Sequence, residues 1–118
     1  MRVLIVENDP NLGQIWCNHI QRLGALVDVA TSQSEAVDAI QDFRFEIMVV
    51  NLDLSRGSAM AVADYASYRH PECKVIFVTS SSFFSDGSIF HYMSNACALM
   101  PTAVPPEDMA ALVAHHAR

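Results

Sequence analysis

The sequence predicts an α/β protein: a three-layer sandwich in which a parallel sheet of five strands lies between two layers of helices. Three observations predict it. Short unbroken apolar runs rich in branched residues recur along the chain, as expected of strands covered on both faces. Between them, apolar residues return at helical spacing. Each change of period is marked by a capping side chain, a proline or a glycine.

The elements follow in order. Val3-Leu4-Ile5-Val6 is the first strand. Asp9-Pro10 supplies a helix cap with proline at the first helical position. Leu12, Ile15, Trp16, His19, Ile20 and Leu23 then repeat as a helix face, and Gly24 ends the helix. Leu26 to Ala30 forms the second strand. Ser32 with Glu35 three residues on is a capping box, opening a helix with Ala36, Val37 and Ile40 inward. Phe45 to Asn51 is the third strand, and a loop with Ser55-Arg56-Gly57 leads to a helix from Ser58 to Arg69, stopped by Pro71. Val75 to Thr79 is the fourth strand. A serine-rich loop carrying Phe83-Phe84 precedes a short fourth helix near Asp86 to Asn95. Cys97 to Met100 is the fifth strand, and Pro105-Pro106-Glu107-Asp108 starts a fifth helix that reaches the end of the sequence. Such alternation requires right-handed crossovers, and for one domain of this size the expected strand order is the flavodoxin-like 2-1-3-4-5.

The chain has 118 residues, 52% of them apolar and 17% charged, which suits one globular domain over 1–118 with no linker or low-complexity tail. Net charge is −6 and the basic residues are scattered singly, so no surface tracks a nucleic-acid backbone. No apolar run is long enough to span a membrane. Cys17, Cys73 and Cys97 lack the spacing of a zinc site or a disulfide framework and read as reduced, buried thiols, which places the protein in the cytoplasm. The five histidines show no metal-ligand spacing either: His19 reads as a packed side chain, and His115-His116 sit in the last helical turn.

Chemistry in open parallel sheets collects at the carboxyl ends of the strands. There the third strand ends in Asn51, followed by Leu52-Asp53-Leu54. A carboxylate at that spot would be a nucleophile. An amide is not, because its nitrogen lone pair is delocalised into the carbonyl. Asn51 is instead expected to donate and accept hydrogen bonds across the strand ends, to Thr79 or Asn8.

These residues resemble the receiver domain of two-component response regulators over essentially the whole chain. Val3 to Pro10 is similar to the family's opening strand, acidic pair and proline, and Thr79 matches the switch hydroxyl that closes strand four. The resemblance implies a pocket that binds magnesium and takes phosphate from a histidine kinase. At the implied positions this chain departs from the pattern. The acidic-pocket positions hold Glu7 and Asn8, and the phosphoacceptor position holds Asn51. Thr102 stands where a lysine contacts phosphate, and Leu99 stands in place of the switch aromatic. The chain's one lysine, Lys74, falls before strand four, at the other edge of the sheet.

Magnesium needs near-octahedral oxygen ligation with carboxylates, so no cofactor is expected, or weak magnesium binding at best through Glu7 and the main-chain carbonyl of Asp53. Glu7 itself reads as a solvated carboxylate at a strand end. The resemblance therefore implies a stand-alone, non-enzymatic pseudo-receiver with no output domain. Its partner would be a histidine kinase, a phosphotransfer protein or another regulator, or a second copy in a homodimer. The family's usual contact face is helix four, strand five and helix five. Two alternatives stand beside it: a register slid by two residues, making Asp53 the phosphoacceptor, and a small-ligand sensor remade around Asn51, Thr102 and Phe84.

Overall fold

In the computed structural model, residues 1–80 and 93–117 are described. Five strands, β1 (Arg2–Val6), β2 (Leu26–Ala30), β3 (Ile47–Asn51), β4 (Lys74–Thr79) and β5 (Ala96–Pro101), form one sheet in the order β2-β1-β3-β4-β5. Every adjacent pair is parallel. Among the described residues the helices are α1 (Pro10–Gln21), α2 (Gln33–Asp42), α3 (Ala59–Arg69) and α4 (Pro106–His116). The short helix expected near 86–95, with Phe83, Phe84 and His91, lies almost wholly outside the described residues; residues 94–95 form a turn. No described helix is long and apolar enough to cross a membrane.

Period-two alternation splits the core into two halves. Val3, Ile5, Ile47, Val49, Ile76 and Val78 point to the side covered by Trp16, Cys17 and Ile20 of α1 and by Met109 and Val113 of α4. Leu4, Val6, Met48, Val50, Val75 and Phe77 point to the side covered by Ala36 and Ile40 of α2 and by Val62, Ala63 and Ala66 of α3. The central strand β3 is buried along its whole length. Its backbone groups are consumed by ladders to β1 and β4, so its last side chain is rigidly placed.

The predicted caps form. Asp9 accepts from the N–H groups of Asn11 and Leu12 at the start of α1, Ser32 accepts from Glu35, and Ser58 accepts from Ala61. Glu35 completes its box one residue early, on the N–H and hydroxyl of Thr31. The expected inner face of α1 needs correction. Ile15 and Leu23 are exposed and His19 is half-buried, bonding the Ile15 carbonyl, while Gly13, Trp16, Cys17 and Ile20 form the buried stripe. The helix is rotated so that Gly13, not a bulky residue, faces the sheet. A Cβ there would lie 3.3 Å from Val29 Cγ1 and 3.7 Å from Glu7 Cβ. Cys17 and Cys73 are buried, Cys97 is half-buried, and all three are free thiols.

Candidate functional site

The order β2-β1-β3-β4-β5 sets the carboxyl ends of β1, β3 and β4 side by side. Each delivers a polar side chain to that edge: Glu7 just past β1, Asn51 at the last position of β3, and Thr79 at the last position of β4. All three are buried, Glu7 at 1% exposure, Asn51 at 6% and Thr79 at 5%. A buried polar group must be paired, and the pairing organises the site.

Asn51 is the centre. Its side-chain oxygen accepts from the Asp53 N–H at 2.8 Å, which fixes which way the amide points. The Nδ2 group then faces Glu7 and donates to both carboxylate oxygens, at 3.0 and 2.9 Å. Glu7 Oε1 also accepts from the Asp9 N–H at 3.1 Å, tying the pair to the cap of α1. Glu7 is therefore not the solvated strand-end group the sequence suggested: the close passage of α1 at Gly13 buries it, and Asn51 supplies donors in place of water. Nor does Asn51 reach Asn8 or Thr79 in the bonds that define it; the nearer carboxylate takes its donors. Asn8 turns away, and its Oδ1 accepts from the Ser55 N–H at 3.3 Å.

Asp53 lies in the turn after β3 and is exposed. Its Oδ2 accepts from the Thr79 hydroxyl at 3.2 Å, from the Ser80 N–H at 2.9 Å and from the Ser80 hydroxyl at 3.0 Å. β3 ends at Asn51, which pairs with Val78 in the ladder, so Asp53 lies two residues beyond the strand. Thr102 is half-buried beyond β5, and its N–H donates to the Thr79 carbonyl at 3.1 Å. Leu99 is half-buried on β5 and packs against the core half that contains Phe77. Lys74 stands at the opposite edge, at the start of β4, where its ammonium donates to the His116 carbonyl at 3.0 Å. Sequence reasoning missed Ser80 and Gly13. The glycine was signalled by its place in the stripe with Trp16, Cys17 and Ile20; Ser80 carried no signal.

The donor set does not suit magnesium. The ion needs oxygens free to turn toward it in near-octahedral geometry. Here both Glu7 oxygens, Asn51 Oδ1 and Asn8 Oδ1 each accept a hydrogen bond from the protein. Among the described residues, no group of three or more His, Cys, Asp or Glu side chains is arranged to hold a metal ion.

Comparison with known proteins fits this architecture. The family profile described as "Response regulator receiver domain" matches residues 3–88. The chain belongs to that family and is thus a signalling module of the two-component type. A CheY-like response regulator receiver domain from Methanospirillum hungatei JF-1 superposes with a TM-score of 0.88 at 22% identity, covering 98% of this chain and 92% of that one. The chemotaxis response regulator CheY4 of Vibrio cholerae gives 0.85 at 14% identity, with 98% and 97% covered. The response regulator TrrA of Thermotoga maritima, in complex with Mg(2+)-BeF, gives 0.82 at 20% identity, with 98% and 97% covered. At such identities the likeness is one of fold. Among curated proteins, none matches the sequence significantly.

Proposed function

We propose that this chain is a receiver that works by binding alone, without a phosphoryl group at position 51, and that its partner is a histidine kinase, a phosphotransfer protein or another regulator in the cytoplasm. The observation that carries the reading is the Asn51 amide, buried and bonded to both Glu7 oxygens and to the Asp53 N–H. An amide forms no acyl phosphate, and this one is committed to structural bonds. Receivers shift between two conformations, and an acyl phosphate biases the balance. A chain that takes no phosphate rests in one of them, and its output is what that surface binds.

A second reading, phosphoryl transfer to Asp53, is favoured by that side chain's exposure and its contact with Thr79. One experiment separates the two. The protein is incubated with a small acyl-phosphate donor and magnesium, and its intact mass is measured before and after hydroxylamine. An unchanged mass supports binding alone; a hydroxylamine-labile adduct mapped to Asp53 replaces it with the second reading. Capture of one of the three named partner classes by the unmodified protein, lost when β5 and α4 surface residues are substituted, tests the binding itself.

A further inference from the structure

Three donors converge on one point beyond β4: the Thr79 hydroxyl, the Ser80 N–H and the Ser80 hydroxyl. That is the donor set of an oxyanion site, and it receives Asp53 Oδ2. Asp53 is exposed, so burial does not force the contact, and among the described residues no lysine or arginine forms a salt bridge with it. Its backbone is fixed independently, since its N–H is held by Asn51 Oδ1. The Leu52 N–H donates to the Val78 carbonyl at 2.8 Å, which anchors the turn from the other side.

We propose that Asp53 is a resident anion: its carboxylate fills an oxyanion site made by Thr79 and Ser80 and holds the end of β4 in one conformation with no diffusible ligand. The inference rests on the reading of the chain as a receiver without a phosphoryl group, and it identifies what fixes its state. The bracket runs from β3 through Asp53 to Thr79 and Ser80, then through the Thr79 carbonyl to the Thr102 N–H. The Asp53 side chain thereby ties the turn after β3 to the end of β4, and a backbone bond carries the connection on to the end of β5. Removing that carboxylate empties the site for an external oxyanion, and inorganic phosphate is the simplest probe.

The test follows the Ser80 amide by NMR hydrogen exchange in the wild type, Asp53→Ala and Asp53→Asn. A lost charge-assisted hydrogen bond corresponds to at least about tenfold in local protection. The expected result is protection in the wild type, a loss of at least about tenfold in Asp53→Ala, and an intermediate value in Asp53→Asn, whose amide oxygen still accepts. Inorganic phosphate should recover protection in Asp53→Ala and leave the wild type unmoved. Equal protection in the wild type and Asp53→Ala would overturn the proposal, as would a Ser80 response to phosphate no larger in Asp53→Ala than in the wild type. Asp53→Asn preserves the shape of the turn and stands in if the alanine variant folds poorly. Acyl-phosphate labelling of the same samples reports on the other reading: a labelled wild type sinks phosphate independence, whereas Asp53-independent protection of Ser80 sinks this one.

Discussion

At position 51 a change of one atom, oxygen for nitrogen, decides the sign of an interaction. As an amide the side chain offers donors to Glu7; as a carboxylate it would offer a second negative charge to a group that is 1% exposed. Asn51→Asp should therefore destabilise the protein by roughly 2–3 kcal/mol, from lost donors at a buried carboxylate and from like-charge repulsion. Asn51→Ala, which removes the donors without adding charge, should cost less. Urea unfolding of both variants checks the order, and an Asn51→Asp protein as stable as the wild type would contradict it. The position of Asn51 was legible in the sequence because a buried strand announces its own end. Its partner was not, since Glu7 is 44 residues away and its burial depends on how closely α1 crosses the sheet.

At the scale of elements, caps and strand ends were read closely because they depend on neighbours along the chain, whereas the inward face of α1 depends on docking. Gly13 reads locally as a poor helix former, yet it is the residue that lets α1 approach Val29 and Glu7. The loop between β3 and α3 shows a second docking contact. Gly57 has φ +104 and faces Gln33, where an added Cβ would come within 2.3 Å of Gln33 Cβ. Gln33 Oε1 accepts from the Ser58 N–H, and its own N–H donates to the Arg56 carbonyl, so the loop is tied to the start of α2. Gly57→Ala should cost more than about 1 kcal/mol, because the left-handed backbone and the clash act together; a shift of the urea midpoint measures it. Burial holds the Cys73 thiol, just ahead of β4, up at about 12, with Glu46 and Cys97 adding to the rise. A group whose folded pKa is raised gives full stability below its unfolded pKa. Cys73 should therefore make the protein lose stability as pH climbs from the ordinary thiol value of 9.0 toward about 12. Cys73→Ala should flatten that part of the pH–stability curve, although the small cavity it leaves lowers stability at neutral pH.

For the whole molecule, alternation of strand and helix periods was enough to predict the sheet order, because right-handed crossovers and two-sided burial leave few ways to arrange five such units. The chemistry at the strand ends is a property of the assembled sheet. It shows why one substitution should not rebuild a phosphorylation site. Asn51→Asp restores the nucleophile but sets it against Glu7 with no lysine near, since Lys74, the chain's one lysine, sits at the opposite edge and position 102 is neutral. Adding Asn8→Asp supplies a third carboxylate to the pocket for magnesium, at the cost of the present Asn8 bond to the Ser55 N–H and of more repulsion until the metal arrives. Thr102→Lys places a cation at a position whose backbone is already anchored to Thr79, the residue whose hydroxyl bonds Asp53. Labelling by a small acyl-phosphate donor should therefore require Asn8→Asp together with Asn51→Asp, and be slow until Thr102→Lys is added. Initial rates of adduct formation, followed by intact mass with and without magnesium, check the order. Rapid magnesium-dependent labelling of Asn51→Asp alone would mean that Glu7 and its neighbours turn toward a metal more readily than their bonds to Asn51 and Asp9 imply.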